Sequence, residues 1–169
     1  MPASFRWASP LGIAVSLFLV VGAVHLLIGI LTPFLFDPTA GGSMFLSHRT
    51  DTALYGAEPR ALLVGDPVLV QLRSTLVMAL AGVLVGLGIV ELALAWFGVR
   101  SGQAWALAAL VVAGLGMVPY WMLVLRPYLA LGVSVGLGDV PPFMSIPTIM
   151  VLPGLISGAL GLARLRRSP

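Results

Sequence analysis

Two side chains in this sequence could do acid–base chemistry inside a lipid bilayer. They are His25 and Glu91, each alone in a long apolar stretch. Glu91 stands in LVGLGIVELALAWFGVR, residues 84–100. A charge at the bilayer centre costs about 2.5 to 3.5 kcal/mol even on the milder scales, so an intramembrane carboxylate is a functional candidate by default. Three roles compete for it. It can be a protonated acid that bonds a neighbouring helix. It can reach water or Arg100, nine residues on, about 13 Å along a helix. It can handle a proton or a ligand. The expectation taken forward is the first: a structural, neutral acid. Its bond would go to a carbonyl or hydroxyl on the next helix, and the prolines at 119, 147 and 153 could free such a carbonyl.

His25 admits a plain reading as a neutral imidazole bonded between helices. Measured from the middle of each apolar stretch, His25 and Glu91 differ in depth by roughly 10 to 12 Å, so no direct pair is expected. Tyr120 and Thr148 fall nearer the depth of His25, with Arg126 above them. The candidate polar intramembrane cluster is therefore His25, Tyr120, Thr148 and Arg126. No cofactor is expected. A haem would need a second histidine at membrane depth, and His48 falls in a loop; nothing supports Met78 or Met117 as the other ligand. His48 and Asp51, in SHRTD, make two possible metal ligands without a third, and surface polarity explains them better. No metal is expected. The chain has no phosphate-binding glycine loop, no HExxH and no G-x-S-x-G.

The elements that must carry these residues follow from composition. The 169 residues are 59% hydrophobic and 9% charged, with a mean hydropathy of +1.08. Soluble domains carry about 25% charged residues, so lipid is the expected solvent for much of this chain. Its basic residues are all arginine, scattered or at helix ends, which excludes a nucleic-acid surface. With no cysteine there is no disulfide, thiolate metal site or cysteine nucleophile.

A transmembrane helix needs roughly 20 apolar residues. Stretches at about 11–36, 73–99, 104–125 and 142–163 qualify, giving an all-α integral membrane four-helix bundle in one domain, 1–169. The first stretch follows Arg6 and contains Val21-Gly22-Ala23, which resembles a leader cleavage site, but it runs on to Phe36 and is expected to be an uncleaved anchor. The turn 99–103 makes spans two and three a hairpin. Residues 37–71 form the one substantial polar loop, with turn signals at Asp37-Pro38 and Gly41-Gly42. A short surface helix is expected at 59–64. Asp66-Pro67 is a helix start, so span two is expected to begin outside the lipid. The apolar connection 128–140 is expected to dip into the membrane or lie on it.

With both termini cytoplasmic, the inner side holds Arg6, Arg100, Arg164, Arg166 and Arg167. The outer side holds Arg49, Arg60, Arg73 and Arg126 with most of the acids, which makes the polar loop extracytoplasmic. The expected location is the bacterial inner membrane. Small residues mark helix contacts in lipid. Span two carries two such stripes, Gly82 and Gly86 on one side and Gly88, Glu91, Ala95 and Gly98 on another. The other stripes are Ala14, Phe18, Gly22, His25, Gly29 and Thr32 on span one; Ala106, Ala109, Ala113, Gly116 and Tyr120 on span three; and Gly154, Gly158 and Gly161 on span four.

The function expected from these residues is that of a non-enzymatic accessory or interaction subunit, or of a binder of a small apolar ligand. Its partners would be the lipid bilayer and other membrane proteins. The alternatives are a membrane-embedded enzyme or redox module acting on a quinone or lipid through the outer-half cluster, and a small transporter.

Overall fold

The computed structural model describes residues 5–39 and 43–167, and the Gly41-Gly42 turn lies outside them. The described chain is all-α, with six helices: α1 (Pro10–Leu35), α2 (His48–Tyr55), α3 (Pro59–Val64), α4 (Pro67–Ala93), α5 (Ala104–Ala130) and α6 (Pro142–Arg167). A π-helical segment, Leu94–Val99, continues α4, and a 3₁₀ turn, Leu137–Asp139, precedes α6. The α1, α5 and α6 helices, and α4 with its π segment, are long and apolar enough to cross a membrane. This is the architecture of a multi-pass membrane protein.

The helix starts are written locally. Ser9 accepts from the Gly12 amide ahead of Pro10, and Asp66 accepts from Val68 and Leu69 ahead of Pro67. In both, a short oxygen-bearing side chain satisfies orphan amides while proline presets the first turn. The expected helix at 59–64 is present, and α4 begins at Pro67, inside the polar segment, as expected. The α2 helix lies within the segment expected as loop. Its signal is the capping box in which Ser47 and Thr50 satisfy each other's amides. In the apolar connection, α5 continues to Ala130 and the remainder carries the 3₁₀ turn.

The α1 helix is the hub, packed between α4 and α6, while α5 packs on α6 and on the π segment. The α1–α4 seam is close because glycines let the backbones meet. A Cβ on Gly22 would lie 3.0 Å from the Leu92 amide nitrogen, one on Gly88 2.7 Å from the Gly22 carbonyl, and one on Gly29 2.7 Å from the Ala81 carbonyl. The α6 stripe is buried as expected, with Gly154 facing Phe18, Gly158 facing Leu107 and Gly161 facing Leu11.

Two expected contact faces are corrected. Gly82 and Gly86 touch nothing, because after its turn α5 leaves α4 and follows α6. On α5, Ala113, Gly116 and Tyr120 face outward. The buried side is Ala106, Leu107, Leu110 and Val111. The fit runs both ways, with Gly158 of α6 receiving Leu107 and Gly114 of α5 receiving Val151, so α5 meets α6 on the side of Leu107 and Gly114 and not on the side of Ala113, Gly116 and Tyr120.

The dense apolar core, with Val15, Phe18, Val99, Leu107, Leu110 and Val151, fills the half of the bundle nearer the chain ends. The other half is capped by the two longer loops. Asp139 joins them: it accepts from the Ser47 hydroxyl at 2.7 Å and from Arg49 at 2.6 Å, and Arg49 also reaches the Ser134 carbonyl. The Ser47 hydroxyl, the Gly136 amide and the Arg49 guanidinium hold the Asp139 carboxyl at about 2, below the usual carboxylate range.

Candidate functional site

His25 and Glu91 form a direct pair, contrary to the depth argument. Nδ1 of His25 lies 2.6 Å from Oε2 of Glu91, and both residues are buried, 1% and 4% exposed. The expected depth difference holds only if each helix is centred on its own apolar stretch. The glycine contacts show a different register. Gly22 faces Glu91 and Leu92, and Gly29 faces Ala81 and Val85. Leu35 at the end of α1 is therefore level with about residue 78, and α4 rises past it by about 16 Å. Side-chain direction closes the remaining gap. Side chains lean toward a helix N-terminus, so on antiparallel helices His25 and Glu91 lean toward each other.

The second ring nitrogen of His25 fixes the pair's chemistry. Nε2 lies 3.1 Å from the Phe143 carbonyl on α6. That carbonyl is free because Pro147, four residues on, has no amide hydrogen. A proline does free the acceptor, as the sequence suggested, but its donor is His25 and not Glu91. A carbonyl only accepts, so Nε2 carries a proton and donates it. Nδ1 and Oε2 must then share one proton, because two lone pairs at 2.6 Å would repel. The proton can rest on the acid or on the ring. Either way the pair has no net charge, so Glu91 is never a lone buried carboxylate, and with the proton on the acid neither member carries a charge. The unit also ties three helices together, α1, α4 and α6.

The other expected cluster members lie elsewhere. Tyr120 is 71% exposed on the outer face of α5. Thr148 donates back to the Met144 carbonyl of its own helix at 2.7 Å. Arg126 is exposed. No hydrogen bond among the described residues joins any of them to His25. The pair His48 and Asp51 also separates, with His48 outside and Asp51 fully buried rather than at the surface. Asp51 accepts from the amides of Met44, Phe45 and Leu46 and from the Tyr128 hydroxyl at 2.7 Å. It therefore pins the first loop to the end of α5.

The feature with room for a ligand lies above the seam. A cavity of about 810 Å³ runs between α1 and α4, under the first loop. Ile28, Leu31, Leu72, Leu76, Val77 and Leu80 are among its walls. Leu31, Leu72 and Leu76 are exposed, the last two by more than half, so the groove opens sideways, where lipid would stand. Arg73 is the one charged side chain among the described residues that line it. Its terminal nitrogens donate to the Pro38 and Ser43 carbonyls at 2.8 and 2.7 Å, and its guanidinium lies 4.8 Å from the centre of the Phe36 ring. Its buried Nε has no hydrogen-bond partner among the described residues. Buried donors are nearly always satisfied, so an unsatisfied one needs an explanation. Neither His25 nor Glu91 lines this groove, whereas Phe143, the carbonyl partner of His25, does.

In sequence, Arg73 marks only the outer side of the membrane, and no motif announces the groove. The available signal was a lone cation within the first turns of an otherwise apolar helix. Comparison with known proteins gives no relative: no family model, no curated protein and no solved structure matches this chain.

Proposed function

We propose that this protein is a non-enzymatic binder of an apolar, single-chain amphiphile in a bacterial inner membrane. The tail lies in the α1–α4 groove, and a head group that accepts hydrogen bonds sits at Arg73. The observation that carries this reading is the groove itself. Its volume falls in the range of small-molecule sites, roughly 300–1,000 Å³, and apolar walls with one convergent polar group are what such sites present. The unpartnered Nε of Arg73 supports a polar head at that end. The redox-module alternative draws no support from Tyr120, which faces away, or from His25, which is sealed.

Arginine placement supports cytoplasmic termini, with the capped end outside. Single cysteines at Ser43 and Ser101 test this in a chain that has none of its own. An impermeant thiol reagent should label only the first in intact cells, and labelling of the second alone would reverse the orientation. Binding is tested with a long-chain fluorescent fatty acid added to the purified protein in mild detergent. Val77→Trp, which fills the groove, should abolish saturable binding. Binding unchanged by that substitution would place the ligand elsewhere and end this reading.

A further inference from the structure

The end of the bundle that carries the termini has a second groove. It lies between α5 and α6, with a volume of about 580 Å³. Its walls include Ala104, Ala108, Ala159 and Ala163, whose small side chains leave a trough, and Arg166 and Arg167 stand at its mouth. Charge at this end is one-sided. Arg6, Arg100, Arg164, Arg166 and Arg167 gather here. The chain's six acids lie elsewhere: Asp37, Asp51, Glu58, Asp66 and Asp139 at the capped end, and Glu91 sealed against His25. Both ion pairs found among the described residues involve other cations, so neither Arg166 nor Arg167 is neutralised by a described carboxylate.

We propose that this groove is a binding site for an anionic phospholipid. One acyl chain lies in the α5–α6 trough, and the phosphate is held by Arg166 and Arg167. A guanidinium offers paired donors that match phosphate oxygens, and a basic cluster just outside a spanning helix attracts anionic lipid. The trough makes this a site rather than a general surface attraction, because it receives a chain directly below the two charges. The site is separate from the α1–α4 groove and does not depend on the function proposed for it.

The test uses the full chain in mild detergent with equal amounts of phosphatidylglycerol and phosphatidylcholine, and counts retained lipids by native mass spectrometry. The wild type should retain phosphatidylglycerol several-fold over phosphatidylcholine. Replacing both arginines, Arg166→Gln with Arg167→Gln, should remove the preference without unfolding the protein, since both are exposed at a helix end. Ala159→Phe should lower retention of both lipids. Arg73→Gln, in the other groove, should leave the preference intact. Equal retention of the two lipids by the wild type would overturn the proposal. So would a preference that survives loss of both arginines, or retention that Ala159→Phe leaves unchanged.

Discussion

The α1 and α4 helices meet in two ways along one seam. Around Gly22, Gly88 and His25 their backbones touch, and the polar groups between them are fully matched. Gly29 makes the last close backbone contact; from Ile30 to Phe36 the helices stand apart, and a cavity of about 810 Å³ opens between them with an unmatched arginine nitrogen near its top. The close stretch has glycine where the helices cross; the open stretch has leucines, valines and the long side chain of Arg73. The same pair of helices is therefore a clamp at one level and a receptor at the next. Buried charge alone does not mark a site. Glu91 is the more deeply buried acid or base of the two, yet its partner is in place and it lines neither groove, whereas Arg73 is half-buried, partly unpartnered and beside open space.

The largest effect should come from forcing the close stretch apart. A Cβ on Gly88 would lie 2.6 Å from the Leu26 amide nitrogen, a backbone atom that cannot swing away. Gly88→Leu should cost about 3 kcal/mol, the upper part of the range for overpacking, and should lower the thermal midpoint of the purified protein. Gly82→Leu, on the bare face of α4, is the control and should change it little. Equal effects from the two would mean that the backbones do not meet at Gly88.

A smaller loss is expected from unmaking the polar clamp. Glu91→Leu leaves Nδ1 of His25 without its partner and should cost about 1 to 2 kcal/mol, in line with hydrogen bonds between helices in membranes. His25→Leu should cost a similar amount. The double substitution should cost less than the sum of the two, because the second change removes a partner already stranded. Additive losses would show that the pair does not interact. Glu91→Gln should be the mildest of the series. Its amide can still donate to Nδ1 while Nε2 keeps the Phe143 carbonyl.

Much of the fold was legible because it is written locally. Four apolar stretches, the Asp66-Pro67 start, the helix at 59–64 and the buried stripes on α1 and α6 needed only composition and spacing. The Gly88, Glu91, Ala95 and Gly98 stripe is also buried. What could not be read was register between helices. The His25–Glu91 pair depends on how far α4 slides past α1, which no property of either helix alone determines. Asp51 was misread for a related reason. Its donors come from the preceding loop and from Tyr128, and only the loop amides are near in sequence. The α5 stripe failed beyond Ala106 because α5 turns another side to α6, the one with Leu107, Leu110, Val111 and Gly114, and no property of α5 alone says which side its neighbour takes. The groove is the space left where two helices stop touching, so it has no motif of its own.

On the proposed function, ligand chemistry belongs to the open stretch and not to the clamp. The most direct measurement is binding of the long-chain fluorescent fatty acid to Arg73→Gln and to Glu91→Gln, both first shown to retain their helical content and a cooperative thermal transition. Arg73→Gln should weaken binding about tenfold, the equivalent of one hydrogen bond to a charged group, and Glu91→Gln should bind as the wild type does. Weakened binding in Glu91→Gln with Arg73→Gln unaffected would contradict this account and return the function to the buried acid.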